Sequence, residues 1–427
     1  MEKVACPHRR EAEQLLDTLY MSRHELGLQR EFLGDDSIDR LYLVRYGRVW
    51  TYTQGIRLAQ AARRSQKDIA REIAKTLFRE AVDVKLGWRK KQFGGWPFSW
   101  NTTSDRFKDP RLVTGANAWA VYGIGEYILS PIFRERSPAT QRRFKAFYFR
   151  ALCGVLDHQR PDGLVTAGWT LSALRRSQGK SDYNQRLDDY GYRKQKNRVK
   201  ASNVVTEHNV DMLGLLNFTL HHSSELGLDA HHERLIQSRD TLRNAIFEHL
   251  YDTQGSRFIT GLVFGAAGEQ KSSHTAVDNA AWLALALNLE RLDAGQKEKL
   301  AAGLYYTFNH FVKNIQSLGK TYLGAHYFQD GFEDPYVRQS DLHERLYHIE
   351  ATASMILALN RFSRSDPKHE YARIFAKGAD DLWTSMQRFI ADHGFSYASE
   401  RIPNLMTQLQ SATSAIWYIE VCDRYGR

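Results

Sequence analysis

The chain is poor in cysteine and has no long apolar run. Its three cysteines, Cys6, Cys153 and Cys422, are too few and too widely spaced for a disulfide framework or a zinc site. A reducing compartment is therefore the simpler expectation. The most apolar run, residues 280–289, is too short to span a bilayer, and the first ten residues lack the apolar segment of a secretory signal. We expect a soluble protein without a membrane span, cytoplasmic unless a signal was removed before residue 1, and periplasmic or secreted in that case.

Several motifs that mark cofactor or nucleic-acid sites are also missing. The sequence has no paired-histidine or calcium-loop motif, no glycine-rich phosphate loop and no nucleophile elbow, so neither a metal nor a cofactor is predicted. It contains no recognised nucleic-acid module either. The net charge of +10 nevertheless suits an acidic partner such as an anionic polysaccharide. Much of this excess lies in residues 175–200, which form either a solvated loop or a polyanion-binding patch.

Helical periodicity dominates what is present. Five pairs of consecutive helices are predicted, at residues 52–62 with 68–82, 116–129 with 139–157, 207–226 with 230–250, 278–289 with 294–312, and 349–362 with 369–390. Two further helices, at 8–25 and 408–425, have no neighbouring partner in the chain. If the first of these packs outside the last, six helical hairpins close into a ring.

The first helix of each pair is rich in apolar or small residues on all sides, whereas the second is amphipathic. Because a helix that is apolar all round is buried, we expect the first helices to form an inner ring. The predicted fold is all-α, an (α/α)6 toroid that occupies residues 1–427 as one domain, with short strands confined to the loops. The oligomeric state is not predicted.

Four inner helices begin with similar polar segments: residues 114–119 (TGANAW), 206–211 (TEHNVD), 277–282 (VDNAAW) and 348–353 (HIEATA). Since parallel inner helices place their first residues around one space, the candidate catalytic acids Glu207, Asp211, Asp278 and Glu350 should converge there. Glycoside hydrolysis needs such a pair, one carboxyl group protonated and another ionised. Glu207 and Asp278 could instead only cap their helices. Asp211 and Glu350 directly precede apolar runs and need a partner or a function.

Candidate substrate-binding residues occupy the same junctions or the loops before them: Tyr52, Gln54, Trp96, Trp100, Asn117, Trp119, Trp169, His208, Asn209, Asn279 and His348. Trp96 and Trp100 form the best stacking platform for a sugar, although tryptophan-rich loops also cover cores. His208 and His348 either support the site through hydrogen bonds or perform the acid–base steps of an epimerase. Trp282 and Trp417 are predicted to belong to the core.

In their order and spacing these segments resemble the six-hairpin glycosidase superfamily, and more narrowly a bacterial group with TG-x-NAW, TEHN-x-D, D-x-x-x-W and E-x-TA at inner-helix starts. The resemblance implies an (α/α)6 toroid that cleaves glycosidic bonds in a poly- or oligosaccharide. The superfamily also includes lyases and epimerases, and an inactive toroid that only binds a glycan or a protein stays open as well. Two departures, Thr53-Gln54 where an Asp is common and Glu350-Ala351 where Glu-Gly is common, imply altered specificity or lost activity.

Overall fold

A computed structural model describes most of the chain. The described residues are 6–21, 32–33, 49–86, 90–100, 107–109, 111–171, 192–195, 198–201, 203–265, 268–326, 346–396, 398–399 and 410–425.

Within these residues, twelve helices are ten residues long or longer. They are α1 (Arg9–Met21), α2 (Thr51–Arg63), α3 (Lys67–Arg79), α4 (Thr114–Leu129), α5 (Pro138–Leu156), α6 (Thr206–His221), α7 (His232–His249), α8 (Val277–Ala286), α9 (Ala294–Phe311), α10 (Ile349–Ser365), α11 (Ala372–His393) and α12 (Ala412–Arg424). Among the described helices, none is both long and apolar enough to cross a bilayer.

The twelve helices form the predicted ring. The even-numbered helices are the inner ones: each packs against the next, and α12 packs against α2, which closes the circle. The unpaired helices also behave as predicted, since α1 packs against α12. Arg9 Nη2 donates to Asp423 Oδ1 at 2.8 Å, and the backbone amide of His8 donates to the Tyr418 hydroxyl at 3.2 Å. The prediction of an (α/α)6 toroid is therefore confirmed.

Burial follows the difference between the two kinds of helix. The outer helix α3 buries Ala70, Ile73, Ala74 and Leu77, which recur at helical spacing along one face. In contrast, the inner helix α8 buries eight consecutive residues, 277–284. An inner helix is therefore enclosed on all sides, as its composition predicts.

Glycines bring the backbones of α2 and α4 into contact. A Cβ on Gly55 would lie 2.2 Å from the carbonyl oxygen of Trp119, and a Cβ on Gly123 would lie 2.3 Å from the carbonyl oxygen of Gly55. Any larger side chain at either position would push the two inner helices apart.

The described strands are short and lie in the connections between helices. They are β1 (Phe32–Leu33), β2 (Val49–Trp50), β3 (Val82–Leu86), β4 (Lys90–Gly95), β5 (Ser99–Trp100), β6 (Phe107–Asp109), β7 (Arg111–Val113), β8 (Gly168–Leu171), β9 (Tyr192–Gln195), β10 (Arg198–Ala201), β11 (Val204–Val205), β12 (Tyr251–Asp252), β13 (Arg257–Phe258), β14 (Gly261–Gly265), β15 (Gly268–Lys271), β16 (Val312–Ser317), β17 (Lys320–Ala325) and β18 (Gln410–Ser411). All the described pairings are antiparallel. The largest described sheet has the order β7-β8-β10-β9, and two three-stranded sheets have the orders β11-β14-β15 and β2-β5-β6. The strands therefore belong to the loops, and the ring itself consists of helices.

Backbone hydrogen bonds attach the start of an inner helix to the loop that follows its own outer helix. The same bond recurs in three hairpins, from Thr51 N to Phe98 O, Thr114 N to Ala167 O, and Thr206 N to Thr260 O, each at 3.0 Å. In a fourth hairpin the direction is reversed, since the loop amide of Ser399 donates to Tyr347 O, just before α10, at 3.0 Å. These bonds hold the helix starts and the loops together on one face of the ring.

Several predicted helix limits differ from the structure by a few residues. The helix predicted at 278–289 ends at Ala286, and a 3-10 turn follows at Leu289–Arg291. Asn288 causes this break, because its side chain accepts a hydrogen bond from the amide of Glu290 and so competes with helix continuation. The part of the helix predicted at 8–25 that follows Met21 lies outside the described residues.

The contact between α1 and α12 leads to a test of ring closure. The thiols of Cys6 and Cys422 lie within hydrogen-bonding reach of each other. Added hydrogen peroxide should therefore join them by removing two hydrogen atoms, with water as the other product. We expect faster migration on non-reducing gels and a Cys6–Cys422 linked peptide in mass spectra. Because burial raises the pKa of the Cys422 thiol well above its ordinary value, the reaction should quicken as the pH rises.

Cys153→Ser is the matched control and should keep the crosslink, whereas Cys6→Ser should abolish it. A wild-type chain that forms only intermolecular disulfides would contradict the closure of the ring by α1 and α12.

Candidate active site

The structure brings the four candidate catalytic acids into one buried space. Glu207 and Asp211 lie on α6, Asp278 lies on α8, and Glu350 lies on α10. Burial raises the pKa of Glu207 well above its ordinary value, and the charges of Asp278, Asp211 and Glu350 raise it further. Because the charges of the three other acids act on Glu207, we infer that the four carboxyl groups lie near one another, as the predicted convergence of three hairpins requires.

Glu350 is held by two hydrogen-bond donors. Its Oε1 accepts from the Tyr52 hydroxyl at 2.6 Å and from Trp417 Nε1 at 2.9 Å. Trp417 Nε1 also lies 2.8 Å from the Tyr52 hydroxyl oxygen. Burial and the charge of Glu350 raise the pKa of Tyr52 well above its ordinary value, so the phenol keeps its proton and acts as a donor. Two donors on one oxygen stabilise the ionised carboxylate.

Asp211 has a different environment. Trp119 Nε1 donates to its Oδ1 at 2.8 Å, which lowers the pKa of Asp211. Burial outweighs this bond, and with the charges of Asp278 and Glu350 it raises the pKa well above the ordinary value. A buried Asp in this position is therefore stable in its protonated form.

The glycine of the TGANAW segment makes room for this arrangement. A Cβ on Gly115 would lie 2.4 Å from Asp211 Oδ2 and 2.7 Å from His208 Cδ2. Asp211 and His208 therefore pack directly against the backbone at the start of α4. This contact places the predicted site residue His208 among the carboxyl groups.

An aromatic layer, formed by Tyr52, Trp119, Trp282 and Trp417, lies beside the acids. The ring centroids are 5.5 Å apart for Tyr52 and Trp119, 6.3 Å for Trp119 and Trp282, and 5.8 Å for Trp282 and Trp417, which stack. The prediction that Trp282 and Trp417 belong only to the core was incomplete, since both are in this layer. Their position is the signal that could have found them: Trp119, Trp282 and Trp417 are each the sixth residue of an inner helix.

The three predicted asparagines bind backbone groups. Each donates to a backbone oxygen, and two of them also accept from a loop amide. The bonds are Trp96 N to Asn117 Oδ1 at 2.6 Å, Asn117 Nδ2 to Val113 O at 2.8 Å, Val165 N to Asn209 Oδ1 at 2.7 Å, Asn209 Nδ2 to Val205 O at 2.7 Å, and Asn279 Nδ2 to Phe258 O at 3.1 Å. The side chains expected to bind substrate therefore hold loops to helix starts.

Two other predicted binding residues are buried away from the site. Trp96 is 0% exposed and its Nε1 donates to Leu77 O at 2.6 Å, so the prediction of a stacking platform at Trp96 is wrong. Gln54 is also 0% exposed, with its amide near Trp50 O at 3.3 Å, and cannot reach a substrate.

His348 caps a helix. Its Nδ1 accepts from the amide of Ala351 at 3.4 Å, and burial lowers the pKa of His348 to about 3, which keeps the ring neutral. A neutral ring that caps a helix weighs against the alternative in which His348 performs acid–base chemistry. Trp100 and Trp169 lie in β5 and β8, but their side chains are outside the described part of the chain.

Within the described ranges, no group of three or more His, Cys, Asp or Glu side chains is arranged to hold a metal ion.

Comparisons with known proteins bear on the fold. No family model matches the chain, and no match was found among curated proteins. Solved structures do match. A sugar epimerase from a ruminal bacterium has a TM-score of 0.62 at 10% identity and covers 98% of this chain and 99% of its own.

Two hydrolases are similar over nearly the same length. The GH63 mannosylglycerate hydrolase from Thermus thermophilus, in complex with glucose, has a TM-score of 0.56 at 12% identity and covers 97% of this chain and 99% of its own. An unsaturated glucuronyl hydrolase specific for heparin has a TM-score of 0.56 at 9% identity, with coverage of 98% and 95%. At such identities the likeness establishes the fold alone: the chain is an (α/α)6 toroid, as its resemblance to the six-hairpin glycosidases implied.

Proposed function

We propose that the protein is an enzyme that hydrolyses a glycosidic bond in a poly- or oligosaccharide. One observation carries the proposal: four carboxyl groups from three hairpins share one buried space, and the environments of Glu207 and Glu350 differ in the way that acid–base catalysis requires. The similar structures include a sugar epimerase and two hydrolases, which supports a sugar as the class of substrate. The type of reaction is inferred from the residues of the site.

Glu207 is the proposed general acid. Its pKa is raised by burial and by three neighbouring acids, so it holds a proton near neutral pH. A protonated carboxyl group can donate to the glycosidic oxygen as the bond breaks. Ionisation of Asp211 would raise the pKa of Glu207 further, so the two carboxyl groups do not readily ionise together.

Glu350 is the proposed ionised partner. The Tyr52 and Trp417 donors hold its negative charge in place, and a fixed carboxylate can activate water or attack the anomeric carbon. Asp278 is the alternative for this role, because it is 3% exposed and its charge raises the pKa of Glu207.

The aromatic layer is the proposed contact for the apolar face of a sugar, with Trp119 as its most accessible tryptophan. The charge of +10 makes anionic glycans suitable substrates as well as neutral ones.

Epimerisation of a sugar is the second candidate. His208 packs beside Asp211, and one of the similar structures is a sugar epimerase. An imidazole among carboxyl groups can exchange protons at a carbon next to a carbonyl group. The capped and neutral His348 weighs against a mechanism with two histidines.

Replacing the two proposed catalytic acids tests the hydrolase. We expect Glu207→Gln and Glu350→Gln each to lower kcat by about 10²–10⁴, because Gln can neither donate the proton nor carry the charge. Purified protein would be screened against neutral and acidic glycans, and new reducing ends and the absorbance of unsaturated sugars would be read together.

Glu225→Gln is a control, since Glu225 is exposed on a short outer segment; it should leave turnover unchanged. Full turnover in both active-site variants, on a substrate that the wild type cleaves, would rule out the assigned roles. An epimerised product without new reducing ends would favour the second candidate.

The dependence of stability on pH tests the protonated state of Glu207. Because its pKa is higher in the folded protein than in the unfolded chain, the folded state binds more protons, and its stabilisation is lost as the pH rises from about 4.5 through the raised pKa. We therefore expect Glu207→Gln to gain stability relative to the wild type between pH 5 and 8, as measured by urea unfolding.

Glu420 offers a control of opposite sign. Burial alone would raise the pKa of Glu420, but Arg424 and Arg63 outweigh it and hold the pKa below its ordinary value. Its stabilisation is present above about pH 4.5 and is lost as the pH falls through the lowered pKa. If Glu207→Gln and Glu420→Gln show the same pH trend, the protonation assigned to Glu207 is incorrect.

A further inference from the structure

A cavity of about 200 Å³ lies inside the ring, on the other side of the aromatic layer from the helix starts. Trp119, Trp282 and Trp417 border it at one end. Its other end reaches Arg63 and Arg424, the last residues of α2 and α12. The cavity therefore faces the ends of the inner helices, opposite the junctions that carry Glu207, Asp278 and Glu350.

The wall of the cavity is mostly apolar. Between the tryptophans and the rim it is lined by side chains such as Val210, Leu215, Leu285, Leu357 and Ile416. The charged group on the wall is Asp211, whose Oδ1 already accepts from Trp119.

The charged side chains of the rim are paired with one another. Arg63 Nη1 lies 3.0 Å from Glu420 Oε1, Arg424 Nη2 lies 2.9 Å from Glu420 Oε2, and Arg63 Nε lies 3.4 Å from Glu126 Oε1. An ionic ligand that entered the apolar part would lose water without gaining a partner, which is costly.

Gly214 adds to the space on the α6 side. A Cβ built there would meet Ala286 Cβ at 3.7 Å, an ordinary van der Waals distance, whereas a Cβ on Gly55 would collide with the backbone of α4. Glycine in a helix interior costs roughly 1 kcal/mol relative to alanine. Close packing therefore does not explain the glycine at position 214. The absence of a side chain there adds to the volume of the cavity.

We propose that this cavity binds a small neutral aromatic molecule, of one ring or two fused rings. Its size suits such a ligand, since benzene occupies an engineered apolar cavity of about 150 Å³. The tryptophans at its inner end offer aromatic surfaces for offset or edge-to-face contact. The apolar wall favours a neutral ligand over a charged one of equal size. The cavity is lined by neither Glu207 nor Glu350, but it shares Asp211, Trp119 and Trp417 with the candidate active site.

Calorimetric titration with indole, together with the shift in Tm that indole causes, tests the proposal. Indole should bind the wild type and raise its Tm, since a ligand that binds only the folded state stabilises it. Gly214→Leu should fill the cavity and weaken indole binding by about tenfold or more. Ala286→Leu fills it from α8 and serves as a second variant if Gly214→Leu does not fold.

Two controls make the result specific. Glu207→Gln should bind indole as the wild type does, which separates this site from the candidate active site. Benzyl alcohol should bind more tightly than benzoate or benzylammonium, which have a similar shape but carry a charge. The proposal is overturned if indole does not bind the wild type, if a cavity-filling variant that folds binds it equally well, or if the charged compounds bind as tightly as benzyl alcohol.

Discussion

Repulsion among buried carboxyl groups is the constraint on which the site depends. Four acids that share a space with little water cannot all be ionised, so some must keep their protons. The hydrogen-bond donors favour ionisation of one acid over another. Tyr52 and Trp417 both donate to Glu350, whereas burial and three acidic neighbours raise the pKa of Glu207. This asymmetry supplies an acid and a base from residues of the same type, which is the requirement for cleaving a glycosidic bond.

The packing of the inner helices holds the four carboxyl groups together. Six inner helices enclose the acids. Gly55, Gly115 and Gly123 have no Cβ, which lets neighbouring helices and side chains approach them closely. Backbone bonds from loops to helix starts, with the asparagine side chains beside them, keep the first turns in register around the site. The aromatic layer borders both the acids and the cavity toward the other end of the helices. Asp211 also lines that cavity, whereas Glu207, Asp278 and Glu350 are not among its lining residues.

Much of this arrangement could be predicted from the sequence, and the limits have physical reasons. Helical periodicity and uniformly apolar first helices predicted the ring, and parallel inner helices predicted that Glu207, Asp278 and Glu350 converge. The predicted roles of side chains were wrong where the hydrogen-bond partner is brought near only by the fold. Asn209 looks like a substrate ligand in the sequence, but its partners Val165 and Val205 are set by the fold. Trp96, predicted at the site, lies in the core, and Trp417, predicted in the core, contacts Glu350 as well. An aromatic residue has similar sequence signals in a core and in a cleft.

Infrared difference spectra, recorded as the protein is titrated from acid to neutral pH, test the central claim most directly, because a protonated carboxyl group and a carboxylate absorb separately. We expect protonated carboxyl signals at neutral pH in the wild type, from Glu207 and Asp211. The part that comes from Glu207 should be lost in Glu207→Gln and retained in Glu225→Gln. Spectra without a protonated carboxyl group at neutral pH, or with one that Glu207→Gln does not change, would contradict the claim.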